Sequence, residues 1–247
     1  MDRAILLGQA KRLFVWLVAT PVVLVTVAIV YFGMPFHGTD ASIAAVEENP
    51  DITVSQQGET YVLELANSDP EAGLVFYPGG RVHPDAYVGS LAPLVSDANM
   101  TVVIQKMPLN LAIFNRGRAS RYVTDSMPWY VGGHSLGGVM ACRYANSNPD
   151  SIDGIMLFAS YCDRDLSGSG LAGLSVTGSE DTVLNRDQYE ANLANLPSDA
   201  TVEELLLNHT QFGSYRGQPG DQPSGLDYAV AHEQLANVTV PWIRSQG

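Results

Sequence analysis

The apolar residues of this chain follow two patterns, one near the amino terminus and another beyond residue 52. From Leu13 to Phe32 the run LFVWLVATPVVLVTVAIVYF holds twenty residues without a charge. At about 1.5 Å rise per residue, a helix of that length covers roughly the 30 Å hydrocarbon layer of a bilayer. Pro21 lies inside the run, while Trp16 and Tyr31 fall towards its two interfaces. The pattern predicts a transmembrane helix. A cleaved signal peptide begins similarly, but its apolar core is typically about 7–15 residues and ends on small residues. Here the run exits through YFGMPFHG with no cysteine following for a lipid, so an uncleaved anchor is expected.

Beyond residue 52 the apolar runs are short. ITVS (52–55) and TYVLEL (60–65) flank QQGE and alternate partly between apolar and polar, which predicts a hairpin. GLVFYPGG (73–80), TVVIQ (101–105), PWYVGGHS (128–135), DGIMLFAS (153–160), GLSVTGS (173–179) and TVEELLL (201–207) are rich in β-branched and aromatic residues and read as strands. Helix-compatible stretches lie between them at 85–98, 110–124, 136–147, 187–195 and 226–236. Strands alternating with helices predict an α/β architecture, a mostly parallel sheet with helices on both faces. The organisation expected is an amino-terminal segment 1–12, the anchor 13–32, a linker 33–51 and one domain 52–247, since 37–50 is polar without a clear period. A second catalytic domain has little room in 247 residues.

Charge adds a direction. Arg3, Lys11 and Arg12 precede the apolar run and Asp40, Glu47, Glu48 and Asp51 follow it, so the amino terminus is expected in the cytoplasm and the domain outside, on the cell membrane. The formal net charge is −13, and without Asp2 and the three leading bases the remainder carries −15. Nucleic acid, which needs cationic side chains, is thereby disfavoured as a partner, and an anionic membrane surface would repel the domain. Two lysines stand against eleven arginines and sixteen aspartates against ten glutamates. This bias fits either a high-salt habitat or ordinary solubility charge. Cys142 and Cys162 cannot form a disulfide framework or a four-cysteine zinc site. One in an apolar helical stretch and one just after a strand, they read as two buried thiols rather than a bridge.

Chemistry concentrates at Gly133-His134-Ser135-Leu136-Gly137, a G-x-S-x-G sequence where the strand PWYVGG meets the helix LGGVMACRYAN. A serine at such a turn projects at the carboxyl end of the sheet, and its neighbours must be small for strand and helix to approach. Gly132, Gly133, Gly137 and Gly138 meet that demand.

Together, VFYPGG, VGGHSLGGVMACRYA, SVTGSEDTV and NHTQFGSYRGQPGD resemble an α/β-hydrolase of the compact, often membrane-anchored prokaryotic type, across residues 73 to about 235. In that family the triad runs serine, acid, histidine, which the resemblance carries onto Ser135, Asp181 and His209. The residues support those roles separately. A neutral serine hydroxyl needs a base, and histidine, with an ordinary pKa of about 6.5, suits that task. His134 cannot readily turn onto its neighbour's hydroxyl, His37 lies near the linker, His83 follows the third strand's loop and His232 falls in the last helical stretch; His209 follows a late strand and opens a loop. Asp181 follows the preceding parallel strand, with Glu180 as its nearest rival, Asp163 and Asp165 as others, and capping of the helix near 187 as its alternative use. The oxyanion donors expected are the amides of Leu136 and of Gly80 in Tyr77-Pro78-Gly79-Gly80-Arg81, with Arg81 able to replace Gly80.

Leu206 and Leu207 stand where many relatives have glycines, which predicts a longer strand and a stiffer histidine loop. The short stretch between Ser160 and Leu174 leaves no room for a large lid domain. The reading is a serine hydrolase cleaving a small-molecule carboxylic ester through an acyl-enzyme, with no cofactor or metal required. Acyl transfer on the same triad and a membrane-tethered binding protein with an inactive hydrolase fold are its rivals.

Overall fold

Each apolar run beyond residue 52 forms a strand, and burial on both faces accounts for the continuous ones. The computed structural model describes the backbone from Arg3 to Gly247 and side chains from Arg12 onward. Met1, Asp2 and the side chains of Arg3 and Lys11, which carry part of the expected orientation, lie outside the described residues. The chain divides into two units, the first ending at Met34 and the second spanning Pro35–Gly247.

The first unit is a single helix, α1 (Arg3–Gly33), with Pro21 inside it. It is long and apolar enough to cross a bilayer. Its apolar side chains, Leu13, Phe14, Trp16 and Val22 among them, are exposed, so no protein core accounts for them.

The second unit is built on eight strands: β1 (Ile52–Gln57), β2 (Thr60–Leu65), β3 (Ala72–Tyr77), β4 (Met100–Ile104), β5 (Trp129–His134), β6 (Gly154–Phe158), β7 (Ala172–Gly178) and β8 (Thr201–Leu205). Their order is β1-β2-β4-β3-β5-β6-β7-β8. The β1–β2 hairpin and the β2–β4 pair are antiparallel, and every later pairing is parallel. The helices α3 (Val88–Ser96), α4 (Leu136–Ser147), α5 (Arg186–Ala191) and α6 (Tyr228–Arg244) connect or follow the parallel strands. Alternate side chains of each central strand enter different cores. Leu74, Phe76, Met156 and Phe158 pack with α3 and α6, whereas Val75, Tyr77, Ile155 and Leu157 pack with α4. Fully burying such a side chain contributes about 1.5–3 kcal/mol, so both faces of the sheet are held by its middle strands.

Several expectations need correction. The stretch read as a linker is structured: α2 (Asp40–Glu47) forms within it, Phe36 bridges to Val82 and Gly38 to Tyr215. One helix with a single buried residue, Val46, leaves little apolar period to detect. Residues 110–124 hold only short 3-10 turns, because Leu109 and Asn110 take φ of 50° and 55° and break any longer helix. The last helix runs to Arg244, beyond the expected end at 236, with Pro241 inside it. Its buried Ala231, Leu235, Thr239 and Trp242 keep helical spacing, and Asp227 caps it by accepting from the Val230 amide at 3.0 Å. Strand β8 is exposed rather than buried, an edge whose Glu203 and Glu204 discourage further pairing, and it ends at Leu205 instead of extending through Leu207. Finally, Cys142 and Cys162 are not two thiols: they form a disulfide with their Cα atoms 5.3 Å apart.

Candidate active site

Ser135 lies between the last residue of β5 and the first of α4, with φ 53° and ψ −125°. A non-glycine residue there costs on the order of 1–3 kcal/mol, so surrounding contacts must hold it. Its amide donates to Phe158 O at 2.9 Å and its carbonyl accepts from Ser160 Oγ at 2.8 Å. The flanking glycines are sterically required. A Cβ on Gly137 would lie 2.0 Å from Tyr77 O, and one on Gly133 would lie 2.5 Å from the Gly137 carbonyl carbon. The start of α4 therefore rests on the end of β3, which brings Leu136 beside Gly80: a Cβ on Gly80 would sit 3.5 Å from the Leu136 side chain.

The loop after β3 distributes its amides unevenly. Gly79 donates to Tyr87 Oη at 2.9 Å and Arg81 donates to Asn110 O at 2.9 Å. Among the described residues, the amides of Gly80 and Leu136 donate to no other group. These are the two amides named from the sequence as candidate oxyanion donors, and Arg81, the substitute considered for Gly80, has its amide engaged.

Asp181 follows β7 in a tight turn, its own amide donating to Gly178 O at 3.1 Å. Its Oδ1 accepts from the amides of Val183 (2.8 Å) and Leu184 (2.9 Å), and its Oδ2 lies 2.8 Å from His209 Nδ1. Burial pushes this carboxyl up, but the contact with His209 and the two amides outweigh it and hold the pKa below the ordinary value. Asp181 does not cap the next helix; Asn185 does, accepting from the Gln188 amide. Of the rivals, Glu180 is exposed, Asp163 binds Arg143 Nε at 2.9 Å, and Asp165 binds Ser167.

His209 opens a short turn, His209–Phe212, and is 2 % exposed. Asn208 Oδ1 accepts from Gln211 N, and Gln211 Oε1 accepts from Asn208 N, a reciprocal cap that fixes where the ring emerges. Asp221 accepts from the amides of His209 and Thr210, a third anchor on this loop. Sequence reasoning missed Gln211 and Asp221 as supports, although the Asn208-x-x-Gln211 spacing is a recognisable capping signal.

Among the described residues no hydrogen bond joins the Ser135 hydroxyl to His209. The structure brings Asp181 and His209 into contact and sets the adjoining His134 ring 4.4 Å from the His209 ring, centroid to centroid. His134 itself is fully buried, with Nδ1 2.9 Å from Tyr87 Oη. Burial first, then the neighbouring His209, depresses its pKa well below the ordinary value, which keeps the ring neutral. His232 is also buried, with Nε2 2.8 Å from Gly213 O. A cleft of about 240 Å³ opens at Ser135, walled by Leu136, Val139, Tyr161, Val183 and Leu184. Among the described residues, the group able to hold a metal ion, His37, His83 and Asp85, lies outside this cleft.

An eight-stranded, mostly parallel sheet with a strained serine between strand and helix defines the α/β-hydrolase class. The model of the alpha/beta hydrolase family matches residues 73–233, and the chain belongs to that family. No curated protein matches the chain. Solved structures similar in fold include a lipase candidate from Acinetobacter baumannii AYE, with TM-score 0.60 and 12% identity, covering 83% of this chain and 95% of its own. An alpha/beta hydrolase enzyme from the metagenome of Mar Chica lagoon sediments has TM-score 0.57 and 13% identity, covering 78% of this chain and 99% of its own. Est1E from Butyrivibrio proteoclasticus has TM-score 0.52 and 10% identity, with the same two coverages. At such identities the likeness speaks for the fold.

Proposed function

We propose that this hydrolase cleaves small carboxylic esters through an acyl-enzyme on Ser135. The observation that carries the reading is the buried bond between His209 Nδ1 and Asp181 Oδ2, at the same end of the sheet as the strained serine. With Nδ1 carrying its proton towards Asp181, the Nε2 lone pair of His209 is the base. It takes the Ser135 proton as Oγ attacks the ester carbonyl, and returns it to the leaving alcohol. The negative oxygen of the tetrahedral intermediate accepts hydrogen bonds from the amides of Gly80 and Leu136, the two donors left free. Water, activated by His209 in turn, attacks the acyl-enzyme and releases the acid. Asp181 stays ionised throughout, which its lowered pKa favours.

Substrate size follows from the cleft. Drug-sized ligands occupy roughly 300–1,000 Å³, so a cleft of about 240 Å³ with apolar walls suits a short acyl or alkyl group. The disulfide supports an oxidising, extracytoplasmic setting for the domain, with α1 as its membrane anchor. A panel of nitrophenyl esters from acetate to palmitate, assayed on the full chain in detergent, tests the proposal. Activity should peak at short acyl chains and fall at least a thousandfold in Ser135→Ala. Unchanged turnover in that variant, or hydrolysis of none of the esters, would overturn it.

A further inference from the structure

The segment that follows α1 meets the loop after β3 at a cluster the hydrolytic reading does not use. His37 Nδ1 lies 2.7 Å and His83 Nδ1 2.9 Å from the same oxygen, Asp85 Oδ2. The other carboxylate oxygen of Asp85 accepts the Gly38 amide at 2.9 Å. Gly38 permits this approach because a Cβ there would lie 2.7 Å from Asp85 O. The two imidazoles are 4.5 Å apart, centroid to centroid. His83 and Asp85 side chains are 8% and 10% exposed, whereas that of His37 is 58% exposed.

The hydrogen-bonding roles around His83 are informative. Its Nε2 faces the Glu59 carboxylate at 3.3 Å, an acceptor that calls for an N–H on that nitrogen. Its Nδ1 is approached by the Asp85 amide at 3.4 Å, a donor that needs a lone pair on the ring. Neutral His83 with its proton on Nε2 satisfies both contacts but turns the Nδ1 lone pair onto a carboxylate oxygen. Either a proton on Nδ1 or a metal ion between ring and carboxylate removes that conflict, and the second imidazole on the same oxygen, His37 Nδ1, makes the cluster a ligand set for a metal. A carboxylate that orients a metal-binding imidazole through its far nitrogen is a recurrent arrangement, and Glu59 stands in that position.

We propose that His37 Nδ1, His83 Nδ1 and Asp85 Oδ2 form a site for a divalent transition-metal ion such as zinc, with its fourth position open to solvent beside His37. The three ligand atoms lie within 4.8 Å of one another. Zinc bonds of about 2.0–2.2 Å place tetrahedral ligands roughly 3.3 Å apart, so the cluster opens by about half an ångström on loading. His37, on the exposed side, has room for that movement. The bound ion ties the segment after α1 to the loop that carries Gly80, adding a second clamp to the backbone bonds from Phe36 N to Arg81 O and from His83 N to Phe36 O.

The test uses the full chain in detergent, stripped of metal with a chelator and titrated with zinc against a chromophoric competitor, with cobalt as a spectroscopic substitute. One zinc ion should bind per chain with a dissociation constant below about 100 µM, and cobalt should give visible bands of tetrahedral intensity. Zinc should raise the melting temperature of the native chain. His37→Ala, which removes an exposed side chain and keeps the metal-free melting temperature, should weaken binding at least about tenfold and abolish that rise. His209→Ala should leave zinc affinity unchanged, which separates this site from the buried pair of His134 and His209. Binding weaker than about 100 µM, or equal affinity in His37→Ala, would overturn the proposal.

Discussion

Single residues set the chemistry here through backbone geometry as much as through side chains. Ser135 holds φ 53° only because Gly133 and Gly137 leave α4 free to press against β3. Gly137→Ala, whose new Cβ would meet Tyr77 O at 2.0 Å, should cost more than about 3 kcal/mol, read as a large fall in melting temperature or loss of soluble protein. His134 gives a pH signature. Burial keeps its folded-state pKa well below the ordinary 6.5, so below that pH the unfolded chain binds a proton the folded chain does not. Stability should therefore be full above pH 6.5 and fall, by up to about 1.4 kcal/mol per pH unit for this group, as pH drops further. His232, also lowered by burial, adds to the same slope. Chemical denaturation from pH 7.5 to 5 reads it, and a flat profile would contradict a neutral His134. The triad candidates rested on the family resemblance and the elbow sequence, and of the three the structure joins Asp181 and His209 directly. The supports Asp221 and Tyr87 were not legible in the sequence, since a carboxylate or phenol that serves backbone amides leaves no periodic trace.

At the scale of elements, the eight strands were legible because each is a short apolar run and the middle ones are buried on both faces. What escaped the pattern had a different physical basis. α2 buries little, β8 is an exposed edge that stops at Leu205, and the turns in 108–121 follow from left-handed residues whose conformation composition does not announce. The disulfide escaped because pairing depends on distance across the fold: Cys142 in α4 and Cys162 after β6 are 20 residues apart in sequence yet 5.3 Å apart at Cα. It ties the helix that carries the elbow to the neighbouring loop. Closing a loop of that size contributes about 3 kcal/mol, so reduction, or Cys162→Ser together with Cys142→Ser, should lower the melting temperature by several degrees. An identical melting temperature with and without reductant would show that the bridge contributes nothing.

For the whole molecule, one exposed apolar helix precedes a strongly acidic hydrolase domain. With a net charge of −13 on the chain, self-repulsion should weaken as salt rises, and the melting temperature should increase between low and molar sodium chloride. No change with salt would show that the acidic surface is ordinary solubility charge. On the proposed function, one serine, activated by His209 held on Asp181, is the nucleophile. Intact-mass spectrometry after exposure of the full chain to a fluorophosphonate tests it most directly. A single covalent adduct should map to Ser135, be absent from Ser135→Ala and form far more slowly in His209→Ala. An adduct that persists in Ser135→Ala, or a native chain that takes up none, would contradict it.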